Sequence, residues 1–281
     1  MSSSGAGPTV SEYFGSITPV TKALLVLNIG THIMIFLSSF PVMALAINEH
    51  LVIEKCEYYR VVSSAFVHGG IFHIFMNMSS LLQLGLSLEL QFGSLQFLFF
   101  TVWTIFINGF LYCALCYAMF IATGDNGEKY VSGIGYSGVL FAYAIIESYH
   151  TTEQSRSVFG IFTVPAKVYP FILLLLIQVL LPGISFFGHL AGVLTGLLTV
   201  SGIMQLVLPS HEFLLLLERR YGSSCALAAL ARMGHYVPHG SSKSLVHPSF
   251  VGTSASQCAR SVCRYAHPCH LYLYRSIHLH L

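Results

Sequence analysis

Apolar residues run in six long stretches along this chain, at about residues 21–47, 68–88, 95–121, 134–149, 168–182 and 185–207, with short polar segments between them. A helix needs about 20 apolar residues to cross a hydrocarbon core of about 30 Å. Lipid admits only helices or closed barrels, and these runs are far too long for barrel strands. The pattern therefore predicts an all-α membrane protein, a bundle of six transmembrane helices over 21–207. A short N-terminal segment, 1–20, is small-residue rich and polar, which reads as disordered. The tail, 208–281, begins with a Leu-rich and charged stretch from His211 to Leu230 that suits an amphipathic helix. After Met233 its Ser, His, Pro and Arg composition has no helical period and reads as disordered.

Composition agrees with the pattern. Hydrophobic residues make up 54% of the chain and charged residues 9%, against roughly 25% charge in soluble domains. Mean hydropathy is +0.71. Nothing in this balance suggests a nucleic-acid partner; the partner it implies is the bilayer. With six spans and both termini on one side, Lys55, Arg60 and Lys129 face the opposite side, while the other ten of the thirteen Lys and Arg face that of the termini. Positive charge stays in the cytosol, so both termini are expected there. The N-terminus has no basic residues, which argues against a signal or transit peptide and leaves the first span as the targeting element.

Spans two, four and six then all enter from the outer face, and each carries polar side chains near its start: His73 and Asn77, Ser137, and His189. An unpaired polar group at membrane depth costs several kcal/mol, about 2–7 for a hydroxyl or amide, so such residues are pairing or functional positions. His73 and Asn77 are spaced i,i+4 and project from one helical face. Ser137 sits in Gly135-Tyr136-Ser137-Gly138, where glycines permit a tight turn at a helix mouth. Gly and Ser also serve ordinary helix packing, and a lone histidine is commonly a satisfied core residue. The coincidence in depth favours a nucleophile and its base, because a serine hydroxyl attacks poorly until a neighbour removes its proton. His189 can supply that base, and Gly192 and Gly196 after it form a small-residue stripe that lets the sixth span approach the fourth.

These motifs, in this order over roughly residues 50–205, resemble those of rhomboid intramembrane serine proteases. The similar elements are Gly135-Tyr136-Ser137-Gly138, His189 with Gly192 and Gly196, and His73-x-x-x-Asn77 with His68 upstream. Glu57-Tyr58-Tyr59-Arg60 resembles the acidic-x-Trp-Arg element of the first loop, and Gly85, Glu89 and Gly93 resemble the end of the second helix. The resemblance implies a six-helix core and a Ser137–His189 dyad with no acidic third member. It also implies an oxyanion hole from His73, Asn77 and the Ser137 amide, with no metal or other cofactor. Gly135, Gly138, Phe141, His68, Gly192, Gly196, Arg60 and Glu57 would support the site. Two positions depart from the pattern: Tyr59 stands where the first loop has Trp, and Phe141 stands where Tyr is frequent one turn after the serine. Neither removes a reacting group.

The implied activity is cleavage of single-span membrane proteins near the lumenal or extracellular surface, in the endoplasmic reticulum or Golgi rather than the plasma membrane. The competing class is a catalytically weak or inactive rhomboid-like binding factor in membrane-protein quality control. A transporter also places polar groups near midplane, but no repeated pattern is visible. Oligomeric state is open. Other signals stay local: Asn77-Met78-Ser79 matches a glycosylation sequon inside a span, Gly124–Gly127 is a turn, and Pro170 and Pro182 mark helix ends. Cys113 and Cys116 read as small apolar residues. Cys258, Cys263, His267, Cys269 and His270 match no familiar zinc spacing, so a disordered tail is the better expectation.

Overall fold

The computed structural model describes residues 15–221 and 236–239, all within a unit spanning Met1–His247. The N-terminal stretch to residue 14, most of the tail after residue 221, and the Cys258, Cys263, His267, Cys269 and His270 group lie outside the described residues. Helices dominate: α1 (Pro19–Ser38), α2 (Glu49–Ile53), α3 (Tyr59–Phe66), α4 (Ile71–Phe92), α5 (Ser94–Thr123), α6 (Gly127–Tyr130), α7 (Ser137–His150), α8 (Tyr169–Leu180), α9 (Phe186–Val200) and α10 (His211–Tyr221). Of these, α1, α4 and α5 are long and apolar enough to cross a membrane, and α8 and α9 are shorter apolar helices.

Two antiparallel ribbons interrupt the all-helical expectation. β1 (Ile47–Asn48) pairs with β2 (Ser132–Gly133), and β3 (Ser155–Val158) pairs with β4 (Phe162–Pro165). Strands this short leave no periodic signature in the sequence. The first apolar run also ends early, at Ser38 rather than 47. Ser39 takes a left-handed conformation at φ 53° and Pro41 follows, so the chain turns out of the helix and reaches β1 instead.

At the centre of the described bundle is α7, packed against α9, α4 and α8. Every residue from Gly138 to Ser148 is buried: apart from Tyr143 and Glu147, which bond Thr101 and Arg156, this stretch is apolar or small around its circumference. The outer helices are one-sided. On α4, Ile74, Met78 and Leu81 face the core, while Ile71, Phe72 and Phe75 are exposed. Such apolar outer faces suit lipid.

The seam between α1 and α4 shows how a buried charge is accommodated. Glu89 is fully buried, and its carboxylate accepts from the Val20 and Thr21 backbone N–H groups at 3.0 and 2.7 Å and from Thr21 Oγ1 at 2.8 Å. The acceptor therefore caps the first turn of α1, where free N–H groups and the helix dipole favour an anion. Glu89→Gln removes the charge and one acceptor oxygen. Since hydrogen bonds to charged groups contribute about 1.5–3 kcal/mol, we expect a clear fall in the thermal midpoint of detergent-solubilised protein. An unchanged midpoint would show that this cap contributes nothing.

The first loop is built around Arg60, which is buried at the start of α3. Its Nε donates to Glu57 Oε2 at 2.6 Å, and its Nη1 donates to the Met43 and Ala46 carbonyls at 3.0 and 2.8 Å. The hydrogen bond from Arg60 holds the Glu57 carboxyl below the usual carboxylate range. Tyr59 keeps a loop role without an indole, its hydroxyl donating towards Glu57 and the Ala44 carbonyl. The loop thus supports the β1–β2 ribbon, which leads within two residues to Gly135.

Candidate active site

The turn that delivers Ser137 is held from both sides. The Gly135 N–H donates to the Ser64 carbonyl of α3 at 2.9 Å, and the Tyr136 N–H points at His68 Nε2 at 3.4 Å. Gly135 has φ 111°, a conformation open to glycine and strained for other residues. A Cβ there would also lie 2.7 Å from His73 Nε2 and 3.8 Å from Ser137 Oγ, so the His73 ring occupies the space beside the serine that a side chain at 135 would need. Ser137 then opens α7, and its N–H, at the first helical position, has no i−4 carbonyl to bond.

His189 reaches this serine from α9. That helix starts with a Ser185 cap whose Oγ accepts from the Gly188 N–H at 3.3 Å. His189 Nε2 and Ser137 Oγ lie 2.9 Å apart, a hydrogen-bond distance, and in the tautomer that carries its proton on Nδ1 the ring accepts from the hydroxyl. Phe141, one turn along α7, sets its ring 4.7 Å from the His189 ring at 40°. The histidine is 3% exposed, and its Nδ1 has no hydrogen-bond partner among the described residues. Ser137 itself is half-buried and reachable.

Two glycines of α9 bring these helices together. A Cβ on Gly192 would fall onto the Gly138 carbonyl oxygen, and a Cβ on Gly196 would lie 2.6 Å from Ile145 Cβ and 2.9 Å from the Ala142 carbonyl. Close approach at these positions is what lets a histidine on one short helix touch a serine on the next.

The α4 residues take different positions. His73 Nδ1 accepts from the Gly69 N–H at 3.4 Å, which leaves the proton of the neutral ring on Nε2, beside the serine turn. Its ring also packs edge-on against His68 at 5.1 Å. Asn77 is 4% exposed, with Nδ2 donating back to the His73 carbonyl at 2.8 Å and Oδ1 buried without a partner among the described residues. One Asn77 N–H therefore remains beyond the intrahelical bond. Arg60 and Glu57 are not part of this cluster; they organise the loop on which the serine turn rests.

Sequence reading missed Asn108 of α5. A Cβ on Gly138 would lie 2.5 Å from its Nδ2 and 2.9 Å from both its Oδ1 and the Gly188 carbonyl, so its amide fills the space behind Gly138. An asparagine between Ile107 and Gly109 in mid-run was the available signal.

The chain is similar to known proteins. Residues 55–206 match the Rhomboid domain family model, which is more than half of the chain. Rhomboid-like protein 15 of Arabidopsis thaliana is 29% identical over 219 residues, covering 76% of this chain and 54% of that protein. Rhomboid-related protein 4 of Homo sapiens is 32% identical over 197 residues, covering 69% of this chain and 60% of that protein. Rhomboid-type serine protease 2 of Debaryomyces hansenii is 36% identical over 97 residues, 31% of this chain and 32% of its own length. The chain belongs to the rhomboid family and is an integral membrane protein. It spans between half and two thirds of the length of the first two of these relatives.

Proposed function

We propose that this chain is an intramembrane serine endopeptidase acting on single-span membrane proteins. The observation that carries the reading is the 2.9 Å hydrogen bond between Ser137 Oγ and His189 Nε2 at the mouth of a helix buried on all sides. Ser137 Oγ attacks the scissile carbonyl carbon while His189 Nε2 takes the hydroxyl proton. The same proton passes to the leaving amine as the acyl-enzyme forms, and a water activated by His189 then releases the acyl group. The oxyanion meets the free Ser137 N–H, His73 Nε2–H and the second Asn77 N–H.

The membrane arrangement belongs to the same proposal. α7 has 14 residues, about 21 Å, so a helix of this length starts below the surface of a core about 30 Å thick. We place α1, α4, α5, α7, α8 and α9 as six crossings, with both termini in the cytosol and Ser137 towards the lumenal or extracellular side of an endomembrane. A substrate helix hides its carbonyls in i→i−4 bonds and must unwind locally to reach the serine. Spans with Gly, Ala, Ser or Pro near the outer end unwind most readily.

Purified protein should therefore cut a single-span reporter carrying a Gly-Ala pair there, and Leu replacements should suppress cleavage. In the same assay Asn77→Ala should lower kcat by about 10²–10³-fold with little change in KM, because its contact strengthens only in the transition state. No cleavage by the wild-type protein would favour an inactive binding factor instead. A uniformly Leu-rich span cut just as fast would overturn the account of substrate choice.

A further inference from the structure

The connection between α7 and α8 is an ordered hairpin whose polar and apolar ends are separated. Ser155 pairs with Pro165 and Val158 with Phe162. At the base, Arg156 bonds Glu147 of α7 and lies 3.5 Å from Glu153, with its guanidinium 6.0 Å from the Tyr169 ring centre. Beside it, Lys167 Nζ stands 5.3 Å from the Tyr149 ring centre. The tip carries the opposite chemistry: Phe159, Ile161 and Phe162 are 59%, 80% and 47% exposed.

The turn itself is unusual in its residue choice. The Ile161 N–H bonds the Val158 carbonyl at 3.0 Å across Phe159 and Gly160, whose φ values are 50° and 74°. Two central residues at positive φ follow the pattern of a type I′ turn, where Asn or Asp normally precedes Gly. An aromatic ring in that place is conformationally disfavoured, and in water it would be disfavoured again by exposure. A single two-stranded hairpin is marginal in water, so an apolar tip of this kind calls for a partner.

Position and charge say which partner. The hairpin leaves the end of one membrane helix and returns at the start of the next, so its base sits at a bilayer surface. Tyrosines paired with Lys and Arg are the side chains that mark that surface, with the cations at phosphate level. Unpaired strand edges cannot enter hydrocarbon, which limits insertion to the tip side chains. We propose that the hairpin is an interfacial anchor whose Phe159, Ile161 and Phe162 side chains insert into the lipid leaflet opposite the Ser137 side. Because Arg156 ties β3 to Glu147 on the helix that begins with Ser137, the anchor fixes how far that short helix sits from the leaflet. The proposal rests on the membrane arrangement given above but not on catalysis.

The test uses the chain's one tryptophan, Trp103, replaced by Phe, and new reporters introduced singly as Ile161→Trp at the tip and Glu153→Trp at the base. The full chain is reconstituted into phosphatidylcholine vesicles with or without bromine on the acyl chains. Insertion gives the Ile161→Trp reporter a blue-shifted emission, strong quenching by brominated lipid and weak quenching by aqueous acrylamide, with the reverse order for Glu153→Trp. Ile161 lies outside the positive-φ pair, so its replacement leaves the turn geometry intact; a Phe162→Trp reporter repeats the reading on β4. Tip reporters that acrylamide quenches as readily as the base reporter, and that brominated lipid leaves untouched, would overturn the anchor while leaving the protease reading standing.

Discussion

Ser137→Ala is expected to abolish covalent labelling by a fluorophosphonate or isocoumarin probe and to reduce reporter cleavage to the uncatalysed level. The substitution deletes the only oxygen within bonding distance of His189 Nε2 among the described residues, at 2.9 Å. His189→Ala should lower turnover by at least about 10²–10⁴-fold, the usual contribution of a positioned base. Folding should survive Ser137→Ala, because one net hydrogen bond is worth about 1 kcal/mol and the serine is only half-buried. Matched thermal midpoints with lost labelling would separate chemistry from structure. Labelling that persists in Ser137→Ala would sink the assignment of the nucleophile.

The second large effect is expected from one methyl group. In Gly192→Ala the new Cβ lands on the Gly138 carbonyl oxygen, which is backbone inside a buried helix and has no rotamer to yield. α7 and α9 must separate instead. Overpacking of this kind costs about 1–3 kcal/mol, a large share of a total stability of about 5–15 kcal/mol. The same separation draws His189 away from Ser137, and a misplacement of about 1 Å can reduce rate about 10²-fold. We therefore expect a lower thermal midpoint together with weak probe labelling of the protein that remains folded. Gly183→Ala serves as the control, since a Cβ there meets nothing within 4 Å. Equal behaviour of the two variants would mean that the α7–α9 seam is not the constraint it is taken to be.

Much of this molecule follows from sequence alone because the bilayer restricts what a chain can do. Long apolar runs must be helices, so α4, α5 and α9 begin within about three residues of where the pattern puts them. A polar group in such a run is a pairing or functional position, and the coincidence of four of them near the starts of spans two, four and six singled out His73, Asn77, Ser137 and His189 before any contact was known. What the sequence could not supply is anything set by fewer than about five residues or by two distant segments meeting. The β1–β2 and β3–β4 ribbons are too short to show a period, and the early end of α1 depends on a single left-handed residue before Pro41. Asn108 reads as one polar residue among many until Gly138 is seen against it. Glu89 gains its meaning only when the start of α1 lies over it, and the approach that the Gly192 and Gly196 stripe announces in the sequence acquires its contact atom, the Gly138 carbonyl oxygen, only in three dimensions. Solvent preference is a property of each residue in turn, so it can be read along the chain, whereas close approach between helices depends on both surfaces at once and is decided by packing in three dimensions.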